Sequence, residues 1–100
     1  MLIRRLTESA RAEQAALDAL RALRDEIEGA YPVTVLPARV NEQRWASLPE
    51  IPVSRPIPFA LAERIPLGGE WGLVLYGWGE LPDAARAAIL ERCRRFCPGA

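Results

Sequence analysis

The chain has 100 residues, half of them apolar, with thirteen basic and thirteen acidic side chains that cancel to zero net charge. That length makes one domain with one modest core, and the neutral balance argues against a protein whose main work is neutralising phosphates. Histidine is absent, which removes Ser-His-Asp and Cys-His catalysis, and two cysteines are too few for a disulfide framework.

The N-terminal stretch MLIRRLTESA has no apolar core of signal-peptide length. The longest apolar run, WGLVLYGWG, is nine residues, about half of a membrane span. The expected location is cytoplasmic, in a cell, a virus-infected host cell or a virion, with no membrane partner.

Residues 7–28 read as an amphipathic helix. Leu6, Ala10, Leu17, Leu20, Leu23 and Ile27 recur at helical spacing with Ala16 beside them, and Glu13 interrupts the stripe. Thr7 or Ser9 suits the N-cap, and Gly29 the C-terminus. Arg21/Asp25 and Arg24/Glu28 stand at i,i+4, where opposite charges support an exposed face. The stripe is too short for a coiled coil.

A short strand is expected at 33–36, where β-branched Val33, Thr34 and Val35 are fenced by Pro32 and Pro37. Residues 38–58 read as an irregular proline-rich arm. Asn41 can cap a helical turn, with Val40 and Trp45 placed as a hydrophobic staple and Pro49 as its stop. PEIPVSRPIP then requires an extended, polyproline-like path. Its alternating Ile51, Val53, Ile57 and Phe59 predict one apolar side laid on a surface.

Residues 59–78 read as a hairpin, 59–66 returning over 71–78 through Gly68-Gly69. Phe59, Leu61 and Ile65 share one face, and Ala60, Ala62 and Arg64 the other. In the return strand Trp71, Leu73 and Leu75 oppose Val74, Tyr76 and Trp78, so both faces are apolar and both need covering. Two helices can cover one; the arm is expected over part of the second, and a partner over the rest. Residues 82–97 read as a final helix, with Pro82 at its start, Asp83 at the positive end of its dipole and Pro98 past its end. The fold class is therefore α+β, a mainly antiparallel sheet of about three strands packed by an N-terminal and a C-terminal helix.

Among candidate chemical groups, Cys93 and Cys97 stand four apart on the final helix, which puts both sulfurs on the same side. Two thiols are half of a structural zinc site and lack redox Cys-x-x-Cys spacing. They are weak metal candidates, and no metal or cofactor is expected. No phosphate loop is present, and Glu70 and Glu80 would stand roughly 30 Å apart along a strand, too far to act on one bond. No motif points to a small-molecule substrate or an enzyme. RCRRF and IRRL are the basic clusters on which a nucleic-acid accessory role would rest, against the neutral balance.

The expectation is a non-enzymatic protein-protein interaction or assembly module. It would be a subunit of a virus particle or other large complex, or a small inhibitor or adaptor on a larger machine. Its partner is another protein or a second copy. Trp45, Arg55, Trp71, Tyr76 and Trp78 are the candidate contact residues, since Trp, Tyr and Arg dominate binding hot spots. The alternatives are a thiol- or metal-dependent redox protein using Cys93 and Cys97, and nucleic-acid binding.

Overall fold

The computed structural model describes residues 2–57 and 61–98, with side chains described from residue 9 onward. In chain order the elements are α1 (Leu2–Ala30), β1 (Thr34–Asn41), β2 (Arg44–Ser47), β3 (Ala62–Gly68), β4 (Trp71–Tyr76), a 3-10 turn at Trp78–Glu80 and α2 (Asp83–Arg94). The class is α+β. The sheet has four antiparallel strands in the order β2-β1-β4-β3, one more than expected from sequence.

The predicted stripe on α1 is the buried one: Ala16, Leu17, Leu20, Leu23 and Ile27 all lie in the core. Ala10 is exposed and Leu6 lies outside the described side chains. The helix starts at Leu2, so Thr7 and Ser9 are interior rather than caps. At about 1.5 Å per residue, α1 is about 43 Å long and outruns the sheet. Residues 9–14 are consequently exposed, and the molecule measures 51 × 25 × 24 Å.

The expected i,i+4 ion pairs do not form. Arg21 pairs with Asp18, and Arg24 with Asp25. Glu28 turns inward and accepts the Val35 backbone N–H at 2.8 Å. A buried strand end thereby gains an acceptor that a surface ion pair would have wasted.

β1 is twice the expected length and runs through residues read from sequence as the start of an irregular arm. It turns tightly through Glu42-Gln43 into β2, where a helical turn was expected. Val40 and Trp45 are paired as anticipated, but across two strands rather than along a helix. Contact between two apolar side chains is compatible with either geometry, and the open edge of β1 offers backbone partners that an isolated turn does not.

Pairing places Val35, Pro37 and Arg39 on the same face as Leu75, Leu73 and Trp71. This is the core face. α1 packs on β1 there, α2 on β3, and Ile89 and Cys93 of α2 join the same buried cluster. Arg92 of α2 reaches Glu26 of α1 at 2.7 Å. Gly77 ends β4 at φ 93, a conformation that strains any other residue and turns Trp78 out of the strand and against the core cluster.

The proline-rich segment takes a different path from the expected one. Its described residues run alongside α1, on the core side of the sheet. Leu48 and Ile51 insert into the core, whereas Val53 and Ile57 remain 45% and 49% exposed. Phe59 lies outside the described residues. Arginines satisfy the arm's carbonyls: Arg21 reaches Glu50 O at 2.8 Å and Arg24 reaches Pro52 O at 3.0 Å. A chain with four prolines in ten residues cannot run its own N–H ladder, so side-chain donors hold it.

Candidate functional site: the open face of the sheet

Both helices sit on one face of the sheet, and among the described residues no element lies over the other. The second face is set by alternation. β1 contributes Leu36, Ala38 and Val40, β2 Trp45 and Ser47, β3 Ala62 and Arg64, and β4 Gly72, Val74 and Tyr76. Leu36, Val40, Trp45, Val74 and Tyr76 are each half-buried. Together with Ser47, Ala62 and Arg64, most of them line a shallow groove of about 310 Å³.

Trp45 organises this surface. From the β2 edge its indole crosses β1 and lies on β4 at Gly72. A Cβ at Gly72 would come within 2.7 Å of Trp45 Cη2 and 3.0 Å of Val40 Cγ2. Absence of a side chain at 72 is therefore what lets the ring approach β4 this closely. The ring also meets Arg64, whose guanidinium carbon is 5.7 Å from the ring centroid. A cation on an aromatic face at that range is attracted by the ring quadrupole. Trp45 and Arg64, from opposite edge strands, thus brace one end of the groove, while Leu36, Val74 and Tyr76 form its floor.

The five residues singled out from sequence are not brought together. Trp45 and Tyr76 share the open face. Trp71 lies on the core face, 7% exposed, under Arg39 at 4.7 Å, and Arg39 is in turn paired with Glu13 of α1 and Glu70. Trp78 packs half-buried against the core. Arg55 belongs to the arm: its Nη1 donates to Val33 O at 3.1 Å and its Nη2 to Glu28 O at 2.9 Å, capping the last turn of α1. The other residues of the face, Leu36, Val40, Arg64 and Val74 chief among them, were not singled out as contacts. Ala62 and Arg64 were already assigned by alternation to one side of their strand, and the β3–β4 register sets them against Tyr76 and Val74 on this face.

The cysteines separate. α2 ends at Arg94, Cys93 is buried and Cys97 is exposed beyond the helix. Burial pushes the Cys93 thiol up to about 11, only partly opposed by the nearby Arg92 charge. A neutral buried thiol is a poor nucleophile and a poor metal ligand at neutral pH, and among the described residues no three Cys, Asp or Glu side chains gather as a metal site. Of the RCRRF cluster, Arg92 and Arg94 are engaged by Glu26 and Glu91. IRRL lies outside the described side chains. No described helix is long and apolar enough to cross a membrane.

Compared with known protein families, curated proteins and solved structures, the chain matches none.

Proposed function

We propose that this protein is a non-enzymatic interaction module that binds a protein partner through the open face of its sheet. The observation that carries the reading is the asymmetry of the sheet. One face is sealed by α1, α2 and the arm, while the other keeps Leu36, Val40, Trp45, Val74 and Tyr76 half-buried with nothing described over them. An antiparallel sheet with one wet face ordinarily alternates apolar-in and polar-out. This one carries apolar and aromatic groups on its wet face too, the composition of a surface that is covered in use. Trp45 and Tyr76 supply large contact area with little side-chain entropy to lose. The groove is shallow and open, which suits a protein surface better than an enclosed small ligand.

The test is affinity capture from the native source with three forms of the chain. The wild type should retain a specific partner. Val74→Glu, which plants a charge in the middle of the open face, should lose it, with the folded state intact by circular dichroism. Leu90→Glu, on α2 at the opposite side, should keep it. Equal capture by wild type and Val74→Glu would show that binding occurs elsewhere.

A further inference from the structure

Arg64 points to the chemistry of the partner. We propose that the partner presents an acidic side chain to Arg64, flanked by apolar side chains that cover Leu36, Val74 and Tyr76. This rests on the reading of the open face as the binding surface and specifies what binds there.

Four observations converge. Among the described residues, Arg64 is the only ionised side chain that alternation places on this face; β1, β2 and β4 contribute apolar, hydroxyl and aromatic groups. Six arginines, at positions 21, 24, 39, 86, 92 and 94, pair with carboxylates of this chain. Arg55 is spent on the carbonyls of Val33 and Glu28. Arg64, like the exposed Arg11, Arg44 and Arg95, has no carboxylate or carbonyl partner among the described residues, and it alone of these four lies over an aromatic ring, that of Trp45. Stacking leaves the guanidinium edge, with its fork of N–H donors, free to receive two carboxylate oxygens, and it limits the rotamers that must be frozen on binding.

The same charge argues against the other occupants. A two-fold pairing of two open faces would bring two Arg64 side chains into one desolvated layer with no acid on either copy, which costs rather than gains. A nucleic-acid backbone needs several cations in a row, and this face offers one. An apolar surface around a single cation is complementary to an apolar segment around a single anion.

The experiment is selection of random peptides displayed on phage against the wild type, Arg64→Gln and Arg64→Glu, with binding sites mapped by NMR shifts of the Val74 and Tyr76 amides. Wild-type selections should be rich in Asp or Glu beside Leu, Ile, Phe or Trp. The best peptide should bind Arg64→Gln about tenfold or more weakly, the range expected for loss of one charge-assisted hydrogen-bonded pair. Arg64→Glu should select Lys and Arg instead. Peptides that shift Val74 and Tyr76 with no preference for acids, or with equal affinity for Arg64→Gln, would overturn the acidic assignment and leave the open face as the binding surface. Recovery of no peptide on that face would overturn both. An oligothymidine that displaces the peptides with the same Arg64 dependence would overturn the assignment to a protein partner.

Discussion

Gly72 shows how much one missing side chain decides. Its neighbours in β4, Trp71 and Leu73, are buried on the core face, and a residue with a Cβ at 72 would meet Trp45 and Val40 on the other. Gly72→Ala is expected to lift the indole off the sheet and cost about 1–3 kcal/mol, the usual range for overpacking. Urea denaturation gives the cost, and a change in tryptophan emission reports the ring. The penalty should shrink in a Trp45→Ala background, because the ring is the obstacle; an unchanged penalty would assign the cost to the backbone or to Val40 instead. The glycine itself is plain in the sequence. Its partner is not, because Trp45 lies 27 positions away on a strand read from sequence as a helical turn.

The arm is the element with the widest gap between pattern and structure. Alternation of Ile51, Val53, Ile57 and Phe59 suggested a strip with one buried side. In the fold, Ile51 is 2% exposed and Val53 and Ile57 face solvent. Beyond the buried Leu48 and Ile51, what holds the segment is polar. Arg21, Arg24 and Arg55 donate to backbone carbonyls, and Ser54 donates to the Glu28 carboxylate that also receives Val35 N–H. Arg55 joins three segments: the end of α1, the start of β1 and the arm. Arg55→Ala is expected to destabilise the protein by about 1–2 kcal/mol through two lost charge-assisted bonds at a partly exposed site. It should also raise amide exchange at residues 53–55 well above that of the β1–β4 ladder. A substitution that weakened partner capture while leaving exchange in the arm unchanged would return Arg55 to the contact surface.

For the whole molecule, one buried thiol makes stability depend on alkaline pH. Cys93 in the core titrates near 11, against 9.0 for a free thiol. The folded state therefore holds its proton more tightly than the unfolded chain. The resulting stabilisation is complete below about 9 and is lost as pH rises through about 11. Two pKa units correspond to on the order of 2 kcal/mol. Guanidinium unfolding of the wild type should show this decline between pH 9 and 11, and Cys93→Ala should be less stable at neutral pH but lack that part of the slope. An identical slope in both proteins would remove Cys93 as its source. At neutral pH the exposed Cys97 should react with a thiol reagent rapidly and Cys93 only on unfolding.

The helices and the β3–β4 hairpin were legible in the chain. They rest on local periodicity: Leu20, Leu23 and Ile27 repeat at helical spacing, and Trp71, Leu73 and Leu75 alternate. The β1–β2 hairpin, the course of the arm and the identity of the open face were not legible, because each depends on contacts between residues far apart in sequence. Val40 and Trp45 satisfy a helical staple and a strand pair equally well, and the free edge of β1 selects the strand. Glu28 could have paired with Arg24 along α1, and the buried N–H of Val35 drew it inward. Both faces of β4 read as apolar, and periodicity carries no information about which one a distant helix will cover. That choice follows from the path of the chain: α1 and α2 both lie on the Trp71 side, the arm runs beside α1, and the side of Trp45, Arg64 and Tyr76 stays open.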